Sequence, residues 1–223
     1  MRDADSFARA NRFFLPPFAY WTPEDWQDRG EEAREISDMD MGWDITDWGS
    51  GDFRRRGLFL FTIRNGAHRN LKNGSGKIYA EKLLVVDVDQ VTPLHFHWTK
   101  MEDIINRGGG NLAIQLYGSL QNGGLADTPV TVSLDGVSTR VEAGGVLALR
   151  PGESITLPQG LYHKFWGIGS KVLVGEVSVC NDDNVDNRFY EKVGRFPVIE
   201  ENEKPLYLLF KDYPKYYRFS GKP

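Results

Sequence analysis

Short apolar runs, separated by turn-forming residues, dominate the chain from residue 56 to residue 180. The runs are rich in β-branched and aromatic residues, and Gly, Asn, Asp or Pro stands between them, which is typical of strands joined by turns. Helical patterns do not alternate with these runs, so a parallel α/β sheet is not indicated. The pattern predicts an all-β sandwich or barrel, with strands within 56–66, 77–90, 92–98, 111–120, 128–136, 139–144, 145–160, 161–169 and 171–180.

The two ends of the chain differ from this central region. Residues 4–13 predict a short helix, and a second helix is predicted from the N-cap residue Thr22, with Pro23 at its first position and Gly30 weakening its middle. The tail is polar and then aromatic, and we expect it to pack onto the barrel. We therefore expect a single domain over 1–223, divided into a helical N-terminal extension at 1–40, a barrel core at 41–181 and a C-terminal segment at 182–223.

Charge and cysteine content narrow the class of protein. The chain has 27 Lys and Arg against 31 Asp and Glu, a formal net charge of −4, and no run rich in Lys or Arg. This balance argues against binding to nucleic acid or to an anionic membrane. The single cysteine, Cys180, excludes an intrachain disulfide framework and fits a reducing compartment. The sequence shows neither a signal-peptide pattern nor a long apolar stretch, so we expect a cytoplasmic protein without a membrane segment.

Two of the four histidines lie one residue apart in the stretch "PLHFHWTKMED". Because alternate residues of a strand face the same side, His95 and His97 point together, and Glu102 follows shortly afterwards. Imidazole and carboxylate groups together suit Zn, Mn, Fe or Ni. The competing interpretation is a pair of histidines on an ordinary polar strand face.

A third histidine follows a tight turn in "GESITLPQGLYH". Pro158 and Gly160 form the turn and deliver His163 onto a new strand. A metal ligand contributed by a neighbouring strand would need this arrangement.

These two stretches resemble the two cupin motifs, with His95-x-His97-x4-Glu102-x6-Gly109 as the first and Gly152-x5-Pro158-x-Gly160-x2-His163 as the second. Asp89 and Gly167 stand where the motifs have glycine and asparagine, and neither position is a ligand. The resemblance implies a cupin jelly-roll β-barrel. It also implies a metal site with the ligands His95, His97, Glu102 and His163.

The stretches "HFHWTKMEDIINRGGGNLAIQLY" and "EVSVCNDDNVDNRF" are similar to the bacterial D-lyxose isomerases, which are cupin-type sugar isomerases. This resemblance implies interconversion of D-lyxose and D-xylulose, and of D-mannose and D-fructose, with Mn²⁺ as cofactor and Co²⁺, Zn²⁺ or Fe²⁺ as alternatives. Such a reaction moves a proton between C1 and C2 through an enediolate. It needs a polarised carbonyl, a stabilised oxyanion and a base.

Three side chains are candidates for this proton chemistry. Glu102 is a proposed ligand and also a carboxylate that would lie beside the reacting carbons. Glu176 lies on the strand 171–180 and would be a buried base if its face is inward, or a wall residue paired with a cation. Lys100 matches the lysine of the family's "HWxKxED" pattern and would be catalytic, and the alternative is a solvated loop lysine.

Three further residues are candidates for binding the sugar. Gln115 alternates along the strand 111–120 and would line the barrel. Asp182 and Arg188 belong to "NDDNVDNRF", which would lie at the barrel mouth or form an ordinary polar turn. Because exposed edges of a jelly roll often pair, we also expect a homodimer.

Three other functions are compatible with the same motifs. An Fe(II)-dependent cupin dioxygenase would use a similar ligand set. An isomerase of phosphorylated sugars would need a basic pocket that the sequence does not locate. A non-catalytic sugar-binding cupin would bind without turnover.

Overall fold

The computed structural model describes residues 1–180, 182, 185–194 and 199–221. Strands in these residues are β1 (Gly42–Thr46), β2 (Leu58–Arg64), β3 (Tyr79–Val86), β4 (His95–His97), β5 (Glu102–Tyr117), β6 (Val130–Leu134), β7 (Val137–Val141), β8 (Val146–Leu149), β9 (Ser154–Leu157), β10 (Tyr162–Val179) and β11 (Asn187–Phe189). Helices are α1 (Arg2–Ala10), α2 (Pro23–Asp28), α3 (Arg34–Asp38), α4 (His68–Asn73) and α5 (Tyr213–Tyr216), with 3₁₀ turns at Pro17–Tyr20, Glu31–Ala33 and Phe210–Asp212. None of the described helices has the length and apolarity needed to cross a membrane. The predicted all-β class is confirmed.

The long strands β5 and β10 organise the sheet. They pair antiparallel from Tyr162 opposite Tyr117 to Ser178 opposite Glu102. β10 also pairs with β3 and, near its start, with β4. The resulting strand order is β1-β2-β3-β10-β5-β9-β6-β7, with β8 beside β5 and β11 beside β4. Because β10 joins three other strands, side chains that are far apart in sequence meet beside it.

Alternation of side chains along β3 and β10 gives this part of the sheet two apolar faces. Leu84 and Val174 belong to the barrel core, whereas Leu83 and Leu173 belong to a second cluster on the opposite face. Both faces must be covered to remove this apolar surface from water. The N-terminal extension covers the second face with the buried residues Ala4, Ala8, Leu15 and Ala19.

The C-terminal segment packs on the N-terminal extension through an aromatic cluster. Trp26 of α2 is 1% exposed, and its ring centroid lies 4.1 Å from that of Tyr213 and 5.5 Å from that of Tyr217. The Tyr213 hydroxyl donates to the carbonyl of Met41 at 2.9 Å, just before β1. The two ends of the chain therefore hold each other beside the sheet.

Some element boundaries differ from the sequence prediction. The helix from Thr22 begins with the predicted cap, reinforced by a reciprocal hydrogen bond with Asp25, but it ends at Asp28, since the backbone is already extended at Arg29 and at Gly30. The predicted strands 161–169 and 171–180 form one strand, β10. Gly109 on β5 allows the close approach of β5 to β10 opposite Val172, where the register shifts, since its φ is +90° and a Cβ there would lie 2.1 Å from the carbonyl oxygen of Lys171.

We expect Trp26→Ala to lower the free energy of unfolding by about 3–5 kcal/mol, because it removes a fully buried indole from the cluster that joins the two ends. Trp98→Ala is the matched control, since Trp98 is 58% exposed. Its effect should stay within about 0.5 kcal/mol. Denaturant unfolding of both variants measures the difference, and equal small losses would contradict this packing.

Candidate metal centre and active site

β4 and β10 bring three histidines together. His95 lies opposite His163 in the antiparallel register, and His97 follows two residues later on the same face of β4. The ring centroid of His95 lies 5.1 Å from that of His97 and 4.3 Å from that of His163. The three imidazoles offer one nitrogen each within a span of 4.8 Å. The fold therefore brings the two sequence motifs together in space, as predicted.

Backbone carbonyls orient two of these rings. His95 Nδ1 lies 2.8 Å from the carbonyl oxygen of Pro93, and His163 Nδ1 lies 3.0 Å from that of Leu161. A carbonyl oxygen only accepts, so each Nδ1 carries the proton and each Nε2 presents its lone pair. Such outer contacts fix the tautomer of metal-binding histidines.

Glu102, the first residue of β5, completes the predicted ligand set. Its Oε1 lies 3.1 Å from His163 Nε2 and 3.3 Å from His97 Nε2. Burial raises the pKa of its carboxyl, but Lys100 and then His97 outweigh burial and hold that pKa well below its ordinary value. Glu102 is therefore an anion that faces the imidazole nitrogens.

The ligand-forming groups fit a divalent cation. Burial, followed by the charges of His163 and His97, holds the pKa of His95 well below its ordinary value, and burial followed by Lys100 lowers that of His97. Neutral imidazoles and one carboxylate are the donors that Zn, Mn and Fe accept. His163 Nε2 is buried without a hydrogen-bond partner in the described chain. A cation among these donors would satisfy that lone pair.

Lys100 links this group to a second carboxylate. Its Nζ lies 2.6 Å from Glu102 Oε2 and donates to Glu176 Oε1 at 2.9 Å, and the lysine side chain is 2% exposed. Glu176 Oε1 also accepts from the Ser178 hydroxyl at 3.2 Å and lies 3.6 Å from Lys82 Nζ. Glu176 is thus buried, and it is also paired with cations, as the second interpretation of its sequence position predicts.

One cavity contains these groups, and its lining combines charged and apolar side chains. The polar residues are the three histidines, both glutamates and both lysines, together with Thr92 and Asn187. The apolar residues are Trp48, Leu58, Leu60, Leu84, Ile104, Phe165 and Phe189. The two kinds alternate along the strands, as Lys82 and Leu84 do on β3 and His163 and Phe165 on β10, so charged groups lie among apolar surface.

Two charged residues at the site were not predicted from the sequence. Lys82 alternates with Leu84 and Val86 along β3, and this alternation was the signal that its side chain faces the barrel interior. Asp186 is 2% exposed, and its Oδ1 accepts from the backbone N–H of Thr99 at 2.8 Å. No local pattern indicates such a contact between residues this distant in sequence.

Asp186 holds the turn that carries Lys100. Its Oδ1 also accepts from the Thr99 hydroxyl at 2.6 Å, and its Oδ2 accepts from the Lys100 N–H at 3.1 Å. Its Oδ2 lies 3.8 Å from His97 Nδ1. This single carboxylate therefore fixes the backbone on which Lys100 depends.

The three predicted sugar-binding residues do not line this cavity. Gln115 lies between the core residues Ile114 and Leu116 on β5, so it faces outward, and its Nε2 donates to the Gly144 carbonyl at 2.8 Å. Arg188 is exposed because its neighbours on β11 face the cavity. The carbonyl of Asp182 accepts from the N–H groups of residues 185 and 186.

Comparison with known proteins gives concordant results. The model of a family described as D-lyxose isomerase matches residues 1–213. A D-lyxose/D-mannose isomerase of Serratia proteamaculans is 49% identical over 205 residues, covering 91% of this chain and 89% of the relative. One of Escherichia coli O157:H7 is 47% identical over 206 residues, with the same coverage. The ligand-free L-ribose isomerase of Cellulomonas parahominis is 16% identical with a TM-score of 0.54, covering 86% of this chain and 89% of that one, which shows a common fold.

We expect His163→Ala to lower the Mn²⁺ content of reconstituted protein at least tenfold, because it removes a buried donor that β10 places beside the other ligands. His68→Ala is the matched control, since His68 lies on α4, away from the cavity. Metal analysis by plasma mass spectrometry after gel filtration measures both. Full metal content in His163→Ala would overturn its assignment as a ligand.

Proposed function

The chain belongs to the D-lyxose isomerase family and is an aldose–ketose isomerase, and we propose that its sugar reacts in the cavity between the histidines and Glu176. The proposed substrates are D-lyxose and D-mannose, with D-xylulose and D-fructose as their products. The observation that carries this assignment is the Lys100 ammonium between two buried carboxylates, directly beside a three-histidine site. Proton transfer between adjacent carbons requires a base and an acid arranged in this way.

We propose that His95, His97, Glu102 and His163 hold Mn²⁺, and Co²⁺, Zn²⁺ or Fe²⁺ would fit the same donors. A bound divalent cation supplies Lewis-acid polarisation of sugar oxygens. The protein contributes the fixed tautomers of His95 and His163, which keep both Nε2 lone pairs directed at one point. Because these tautomers are already set, the two imidazoles need little reorganisation when the cation binds.

Glu176 is the proposed base, in preference to Glu102. Both Glu102 oxygens are engaged, one by imidazole nitrogens and the other by Lys100, and its pKa is held well below the ordinary value. Such a carboxylate accepts a proton poorly. Glu176 lines the same cavity and is not one of the four proposed ligands. In the proposed reaction Glu176 takes the proton from C2 of the aldose and returns it to C1.

In this scheme the two lysines stabilise charge on the sugar oxygens, and Lys100 also exchanges protons with them. Removal of the C2 proton leaves negative charge on the oxygen of C1, and an ammonium beside it stabilises that charge. Lys100 is the proposed proton donor to O1 and acceptor from O2. Lys82, whose Nζ lies 3.6 Å from the same Glu176 oxygen that Lys100 contacts, adds a second positive charge that stabilises the same developing anion.

We also propose a homodimer in the cytoplasm. The strand β7 ends the strand order of the sheet, and Val137 on it is 65% exposed. Val146 on β8 is 50% exposed. An unpaired strand edge with exposed apolar residues favours association with a second copy. The single buried Cys180 suits a reducing compartment.

The Fe(II) dioxygenase and non-catalytic alternatives are not favoured, because the family and its close relatives are isomerases. An aldose panel tests the proposed function. Mn-reconstituted protein should convert D-lyxose to D-xylulose and D-mannose to D-fructose without oxygen, and metal-free protein should not. Absence of both conversions in the metal-loaded protein would reject the function, and oxygen consumption with Fe²⁺ would support the dioxygenase.

We expect Glu176→Gln to lower kcat about 100-fold or more while leaving metal content unchanged, because the amide cannot accept the C2 proton. Exchange of deuterium from D₂O into the sugar should be lost in parallel. Glu102→Gln should lose metal as well as activity. Glu81→Gln is the control, since Glu81 lies on β3 and pairs with Arg64 outside the cavity. Retained deuterium exchange in Glu176→Gln would show that another group is the base.

A further inference from the structure

Trp48, Phe165 and Phe189 are aromatic residues of the cavity lining that take no part in the proposed proton chemistry, and of these three Trp48 carries a polar hydrogen-bond donor. It follows β1 in the chain, is 5% exposed and packs in the barrel core with Leu58, Leu60 and Leu84. It lines the same cavity as His95 and Glu176. A molecule bound at the catalytic groups would therefore lie within reach of its indole.

The backbone at Trp48 is constrained in an unusual conformation. Its φ is +53°, in the left-handed region that a bulky side chain rarely adopts. Its N–H donates to the Thr46 hydroxyl at 3.0 Å, and its carbonyl accepts from the N–H of Gly194 at 3.1 Å. Strain of this kind persists where surrounding contacts enforce it, and it concentrates at binding sites. Here the enforced conformation places the indole at the cavity.

The indole nitrogen of Trp48 lacks an acceptor. Its Nε1 is buried and has no hydrogen-bond partner in the described chain. An indole N–H only donates, and buried donors are almost always paired. Trp43 shows the ordinary situation, because its Nε1 donates to the Ala19 carbonyl at 2.7 Å. The unpaired donor of Trp48 points to a partner supplied by a bound molecule.

We propose that Trp48 Nε1–H donates a hydrogen bond to a sugar hydroxyl remote from C1 and C2, and that it determines which sugars bind. This inference rests on the proposed function. The reacting carbons belong beside Lys100, Glu102 and Glu176, which contact one another. Trp48 lines the same cavity but packs with Leu58, Leu60 and Leu84, so its N–H is expected to meet an oxygen other than O1 and O2. An analogue without the accepting hydroxyl leaves the N–H unpaired and is bound less tightly.

Two replacements of Trp48 test this inference. Trp48→Phe removes the N–H and keeps an aromatic ring, and 3-benzothienylalanine at the same position replaces N–H by sulfur with little change in shape. Calorimetry on Mn-loaded protein measures binding of the alditol obtained by reducing D-lyxose, which cannot be isomerised. Both replacements should weaken binding about threefold to tenfold, the usual effect of one lost hydrogen bond. Metal content should remain that of the wild type.

Deoxy sugars identify the hydroxyl that accepts. Among the 3-, 4- and 5-deoxy forms of the alditol, one should bind the wild type several-fold more weakly than the parent. The benzothienyl protein should bind that form and the parent equally. Trp43→Phe is the matched control, since it removes a buried N–H bonded to Ala19 and should lower Tm without changing this discrimination.

Two results would overturn the inference. One is unchanged alditol affinity in both Trp48 replacements, and the other is an equal loss for the parent and every deoxy form, which would show a packing effect. Failure of the proposed function has a different signature. In that case the wild type itself neither binds the alditol nor converts D-lyxose, and the role of Trp48 in sugar binding is rejected with it.

Discussion

The buried contacts of Lys100 with Glu102 and Glu176 are the interactions on which the rest of the site depends. Removing three charged groups from water is unfavourable, and their mutual attraction offsets that cost only when the geometry is good. The pairing of β5 with β10 supplies the geometry, because it fixes Glu102 opposite Ser178 and so brings Glu176 onto the same wall. A pair of apolar residues would stabilise a barrel more simply, so this arrangement is best understood as a requirement of chemistry.

Coverage of both sheet faces explains why a barrel of this kind carries long terminal segments. The inner face of β3 and β10 bears Lys82, His163 and Glu176 among core residues, so the outer face must be held equally firmly to keep the strand register. The N-terminal extension buries that outer face, and Trp26 joins it to Tyr213 near the other end of the chain. Register errors in β10 would exchange Glu176 for a residue of the opposite face.

Much of the metal-binding group could be predicted from sequence, because strand alternation places His95 beside His97 and the Pro-Gly turn delivers His163. The position of Glu176 also followed from alternation, and Lys100 from the family resemblance. Gln115 and Arg188 were predicted as sugar ligands but do not line the cavity. The face of a strand that points into a closed barrel depends on the strands with which it pairs. Asp186 was missed because its contacts require the pairing of β11 with β4, a relation that local sequence does not encode.

The hydrogen bonds of Asp186 to Thr99 and Lys100 have a consequence for biosynthesis. During translation, every proposed metal ligand has been made once His163 leaves the ribosome, yet the carboxylate that orders the Lys100 turn comes later. A chain that ends before residue 186 contains all four proposed ligands but lacks the carboxylate that accepts from the N–H groups of Thr99 and Lys100. The order of synthesis therefore places the residue that fixes this turn after all four proposed ligands.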